Sequence, residues 1–142
     1  MFRALDETIL VSPQITADDI STAVKHGVTL IINNRPDGEA PDEPQGVEVE
    51  AAARAAGLDY IAIPVGQGGF SQPQVDTMAA ALENAAGKTL AYCRSGTRST
   101  LLWSLARAKS GEAPEMLHEK AIAAGYDLTP VAALIDMLAT KK

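Results

Sequence analysis

The chain has 142 residues, 46% of them apolar and 21% charged, which suits one compact domain, residues 1–142, built around a single buried core. Twelve basic against eighteen acidic side chains give a formal net charge of −6, so the surface as a whole repels nucleic acid and anionic membranes, and any anion site must be local. No window approaches the roughly 18 apolar residues of a membrane span, and the acidic start Met1 to Glu7 lacks the apolar stretch of a signal peptide, so a cytoplasmic location is expected. The single cysteine cannot form an internal disulfide, and a reducing compartment keeps it a thiol.

In chain order, residues 8–11 read as a short strand. Thr16, followed by Asp18 and Asp19, supplies a helix start that suits the helix dipole, with an end near Gly27. The β-branched run 28–32 has the pattern of a strand covered on both faces. Residues 33–45, with three prolines and four acids, form a loop leaving that strand. A helix is predicted over 46–56 with Gly57 as terminator, then a strand over 60–65 and a glycine-rich loop from Gly66 to Gly69.

Ser71 and Gln74 resemble a capping box ahead of a helix running to about residue 86. Residues 88–92 read as another buried strand, followed by a polar run from Cys93 and a helix over 99–107. Two further helices are predicted, over 114–124 and 129–138, with apolar residues three and four apart. Strands alternating with helices imply an α/β fold with a mainly parallel sheet flanked by helices.

The run Cys93-Arg94-Ser95-Gly96-Thr97-Arg98-Ser99 lies past a strand's carboxyl end and leads into a helix, which is where open α/β sheets bind ligands. A lone cysteine would ordinarily be a small buried hydrophobe; these neighbours argue for a nucleophile. The backbone N–H groups from Arg94 through Ser95, Gly96 and Thr97 to Ser99 can wrap an anion, aided by the helix dipole and by the missing side chain of Gly96. The same field favours the thiolate of Cys93. Arg98 offers a planar fork to a phosphate, thiosulfate or sulfonate group; Arg94 either joins it or stays an exposed charge. Ser99 either caps the helix or hydrogen-bonds the thiolate.

The loop resembles the active-site loop shared by rhodanese-type sulfurtransferases and cysteine phosphatases. Together with the runs Val28 to Glu39, Tyr60 to Val65 and Leu90 to Ser99, it resembles the beta-lactamase hydrolase-like protein, phosphatase-like domain family, over roughly residues 8–110. That resemblance implies a dual-specificity-phosphatase-like fold. Family members are described as phosphatases or as sulfurtransferases, some of them fused to a sulfur dioxygenase domain, which suggests a sulfur-oxidising partner enzyme.

Three departures bear on the reaction. Only four residues separate Cys93 from Arg98, the rhodanese spacing, where cysteine phosphatases have five. The loop after residues 60–65 carries no aspartate as general acid, leaving Asp37, Glu39 or Asp42 as substitutes. Tyr92 stands where phosphatases generally have a histidine, and reads equally well as a packed strand residue. On these grounds the expected activity is sulfur transfer from thiosulfate or a persulfide through a Cys93 persulfide to a thiol acceptor. The alternatives are phosphate monoester hydrolysis through a phosphocysteine, and a non-catalytic persulfide carrier or redox sensor.

Arg35 either lines the pocket or pairs with a loop carboxylate. Phe70 either closes over the thiolate as a lid or packs against the following helix. Trp103, with Leu101, Leu102 and Leu105, has the spacing of a buried helix face. His26 and His118 lack metal-ligand spacing, so neither a metal nor any other cofactor is expected.

Overall fold

The computed structural model describes residues 2–39, 46–66 and 68–140. Its centre is a five-stranded sheet made of β1 (Arg3–Ala4), β2 (Ile9–Ser12), β3 (Val28–Asn33), β4 (Asp59–Ala62) and β5 (Lys88–Tyr92). The spatial order is β1-β2-β5-β3-β4. Every pairing is parallel except β1 with β2. The two-residue β1 has no signal in the sequence, because it is too short to show any alternation.

Among the described residues six α-helices flank the sheet: α1 (Ala17–Lys25), α2 (Gly46–Ala55), α3 (Gln72–Asn84), α4 (Thr97–Lys109), α5 (Pro114–Ala123) and α6 (Ala132–Thr140). Thr16 and Asp19 close a capping box on α1, and Ser71 and Gln74 close one on α3, each satisfying backbone donors that a helix start leaves open. Gly27 and Gly57 take left-handed φ values of 85° and 84° just past α1 and α2, a conformation that a side chain resists. The segment expected as one helix from residue 129 opens instead with a 3₁₀ turn, Thr129–Val131, before α6.

The core is divided by the sheet. Ile9, Val11, Leu30, Ile32 and Ala91 face Met78, Leu102, Trp103, Leu117 and Ile135, so α3 to α6 cover one side. Val28, Ile31, Leu90 and Tyr92 face Ile20, Ala23, Val49 and Ala53, so α1 and α2 cover the other. The continuous apolar strands follow from this, since residues pointing either way are covered. The expectation of a single core becomes two half-cores sharing a sheet.

The strand expected over 60–65 ends at Ala62, because Pro64 has no N–H to extend the ladder. The chain nevertheless stays beside β3: Ile63 N donates to Asn33 O at 2.9 Å and Val65 N to Asn34 O at 3.0 Å. No helix among the described residues is long and apolar enough to cross a membrane.

Candidate active site

The site is assembled where β2, β5 and β3 end together. Cys93 follows β5, the strand between the other two. Its N–H donates to Ser12 O at 3.3 Å, and Asn34 N donates to Tyr92 O at 2.8 Å, so both neighbouring strands hold the chain as it leaves the sheet. The side chain of Cys93 is fully buried.

Beyond Cys93 the chain turns sharply into α4. Gly96 is the residue before the helix and has φ of 90°, left-handed backbone for which glycine carries no steric cost. The turn is closed by Thr100, whose N–H and Oγ1 both donate to Gly96 O, at 3.0 and 2.8 Å. Within it, Gly96 N–H points at Cys93 Sγ, 3.1 Å away, and Thr97 N–H at Ser95 Oγ, 3.3 Å away. The N–H groups of Ser95, Arg98 and Ser99 have no acceptor among the described residues. A ring of free amides at the positive end of a 13-residue helix attracts an anion or a thiolate.

Arg98 lies in the first turn of α4 and is held from behind. Nη1 donates to Glu39 Oε2 and to Val65 O, and Nη2 to Glu39 Oε1, all at 2.7 Å. Glu39 also accepts from Arg35 Nε at 2.9 Å, while Arg35 Nη1 reaches Gln14 Oε1 at 3.0 Å. One carboxylate thus bridges two guanidinium groups. The Arg98 hydrogen bonds, ahead of those from Arg35, pull the Glu39 carboxyl down to about 2, and the same contact raises Arg98.

Counting donors decides what remains for a substrate. A guanidinium has five N–H groups, and these contacts use both on Nη1 and one on Nη2. The Nε–H and the second Nη2–H form the side-on fork that matches two oxygens of a tetrahedral anion, and the guanidinium also hydrogen-bonds the Cys93 sulfur. Charge attraction to Cys93 also contributes to raising Arg98, which places this guanidinium in the field of the sulfur.

Arg94 is exposed and, with Arg98, Glu39 and Gly66, lines a cleft of about 440 Å³. Arg35 is buried, and lines a separate cleft of about 190 Å³ with Asn33, Asp37 and Tyr60; it both pairs with a carboxylate and lines a cavity. Ser99 is not a cap, because α4 begins at Thr97. Its Oγ is buried with no partner, and so retains a free donor one residue from Arg98. Ser95 and Thr97 hydroxyls bond to each other at 3.0 Å, bracing the loop. Phe70 is half-buried against the core beside the start of α3 and is absent from the lining of the Arg94 and Arg98 cleft, so it packs rather than covers the thiol.

Of the substitute acids, Asp37 accepts the N–H of Gly46 at 2.7 Å, at the start of α2. Glu39 is held as the carboxylate, and Asp42 lies outside the described residues. Tyr92 packs into the half-core under α1 and α2, and burial raises its phenol. Among the described residues no three His, Cys, Asp or Glu side chains gather as a metal site requires.

Sequence reasoning missed the supports: Gln14, the Val65 carbonyl, and Tyr126, whose hydroxyl donates to Ser95 O at 3.2 Å. Glu39 was visible only as a spare acid. None carries a local signal, since each acts through a contact distant in the chain.

A parallel sheet with a cysteine at the end of its central strand, an amide-lined turn and an arginine in the next helix define a cysteine-phosphatase-like domain. Residues 1–110 match the family model for the beta-lactamase hydrolase-like protein, phosphatase-like domain, and the chain belongs to that family. The beta-lactamase hydrolase-like protein of Xylella fastidiosa is 33% identical over 129 residues, covering 87% of this chain and 29% of that protein. The chain therefore spans under a third of the length of such curated relatives.

A crystal structure of a candidate phosphatase from Neisseria meningitidis superposes with a TM-score of 0.83 at 32% identity, covering 96% of each chain. The core catalytic domain of a PP-IP phosphatase from S. cerevisiae shares the fold at 15% identity, with a TM-score of 0.71 over 96% of this chain and 83% of that one.

These findings overturn the expectation of a rhodanese-like sulfurtransferase working through a Cys93 persulfide. The matched family is phosphatase-like, and so is the Neisseria relative at 32% identity. The four-residue spacing does not discriminate between the two reactions. Left-handed Gly96 completes the turn within the shorter loop, and Arg98 retains its side-on fork, so loop length alone does not choose sulfur over phosphorus.

Proposed function

We propose that the chain is a cysteine-dependent phosphatase domain that hydrolyses phosphate monoesters. The observation that carries this reading is the convergence of N–H donors on Cys93 Sγ: the loop amides on one side and the Arg98 guanidinium, in hydrogen-bond contact with the sulfur, on the other. Three non-bridging phosphoryl oxygens find N–H groups there, and charge spreading over them in the transition state is stabilised by donors already in place.

Cys93 Sγ attacks phosphorus in line. The S–P bond forms as the P–O bond to the leaving group breaks, and the departing oxygen takes its proton from solvent. Water then attacks the phosphocysteine, releasing inorganic phosphate and returning the thiolate. Glu39 takes no part as an acid, since at about 2 its carboxyl has no proton to give near neutrality. It holds Arg98 instead.

The test is phosphate release from an aryl phosphate by the wild-type chain and by Cys93→Ser. Turnover that falls at least about 10³-fold in the variant supports the reading. No turnover of any aryl phosphate by a folded wild-type chain sinks it, as does activity that survives the substitution.

A further inference from the structure

The hydrogen bond from Gly96 N–H to Cys93 Sγ belongs to a peptide unit whose other end is also held. The carbonyl of that unit is Ser95 O, and it accepts from the hydroxyl of Tyr126. A trans peptide is planar, with its C=O and N–H pointing in opposite directions. A donor fixing the carbonyl from outside therefore fixes the N–H pointing inward at the sulfur. Rotation of the unit would break both bonds together. Donation to the carbonyl also polarises the peptide and strengthens its N–H as a donor.

The packing supports a built contact. A Cβ on Gly96 would collide with the Tyr126 hydroxyl oxygen, so the absence of a side chain there makes room for the phenol as well as for the left-handed turn. Tyr126 follows α5 and is held in turn by Arg3, whose guanidinium carbon lies 5.8 Å from the ring centroid and whose Nη1 donates to Ala124 O at 2.8 Å. Burial, more than the charges around it, raises the Tyr126 phenol and keeps it a donor.

We infer that Tyr126 is a positioning residue for the nucleophile, acting through the Ser95–Gly96 peptide to hold an N–H on Cys93 Sγ. This rests on Cys93 being the reactive thiol but not on phosphorus being its substrate. The groups in electrostatic contact with the sulfur are Arg98 from α4 and Tyr126 itself, with Glu39 behind Arg98 and exposed Arg94 at the rim. Among the described residues Tyr126 is the hydrogen-bond donor to the Ser95 carbonyl.

Alkylation of Cys93 by iodoacetamide, followed across pH, reads the thiolate without any substrate and so separates this inference from the phosphatase reading. Tyr126→Phe keeps the ring and removes the hydroxyl. Its alkylation profile is expected to move to higher pH, with a rate below the midpoint about three- to tenfold lower than wild type, the size of one lost hydrogen bond. Tyr126→Leu is read in the same way should the first variant not fold. Arg3→Ala loosens the turn but leaves the hydroxyl, and its profile is expected to move in the same direction by clearly less than that of Tyr126→Phe. A Tyr126→Phe profile superimposed on wild type overturns the inference, as does an Arg3→Ala shift of equal size.

Discussion

The middles of the strands and their carboxyl ends are built on opposite principles. In the middle, Ile9, Val11, Ile31, Ile32 and Leu90 are buried among other apolar groups, and stability comes from area removed from water. At the ends, Ser12, Asn33, Asn34 and Arg35 are buried while polar, which is costly unless each finds partners. Most of their polar atoms do: Asn34 Nδ2 bonds Ile63 O at 2.9 Å, Asn33 Nδ2 bonds Tyr60 Oη at 2.9 Å, and Asn33 Oδ1 accepts from Arg35 N at 2.9 Å, whereas Asn34 Oδ1 is buried without a partner. The middle is built to be stable, whereas the ends are built to hold the Cys93 loop in one shape.

Substitutions should separate the two regions. Trp103→Ala removes the largest fully buried side chain and is expected to cost about 3–5 kcal/mol in chemical denaturation. Arg98→Lys keeps the charge but loses the fork. It is expected to lower turnover of an aryl phosphate about 10²-fold with a much smaller change in stability. A stability loss as large as that of Trp103→Ala would erase the distinction.

Glu39→Gln tests the bridge between the regions. The Glu39 carboxyl lies at about 2 in the fold against an ordinary 4.5, and a depressed carboxylate stabilises the fold above its unfolded value. The variant should therefore be less stable than wild type near neutrality, by on the order of 1 kcal/mol once solvent screening of so exposed a carboxylate is allowed for. The difference should shrink as pH falls from 4.5 towards 2. Denaturation midpoints measured at several pH values check this, and a difference independent of pH would contradict it. The smallest effect is expected from Arg94→Ala, an exposed side chain whose loss should change stability by under about 0.5 kcal/mol.

The two regions also differed in how far the sequence revealed them. The central strands and most helices follow from apolar runs and caps such as Thr16 with Asp19 and Ser71 with Gln74, all local signals. The Cys93 loop was legible for the same reason, since its turn glycine, arginine and nucleophile are contiguous. The frame around it was not. Glu39 lies 59 positions from Arg98, and Tyr126 lies 31 from Ser95, and no spacing rule links residues that only folding brings together. The one reading that failed outright, sulfur over phosphorus, leaned on a loop one residue short, on a missing aspartate and on Tyr92 in place of a histidine. It left out the Glu39 carboxylate, itself held by Arg35, and the Val65 carbonyl that orient Arg98.

The most direct test of the account is rapid acid quench of the wild-type chain during turnover of an aryl phosphate, followed by peptide mass spectrometry. The account requires one phosphoryl group on the peptide containing Cys93, formed and lost at rates compatible with turnover. Phosphate release with that peptide unmodified throughout, or with the phosphoryl group on another residue, would contradict it.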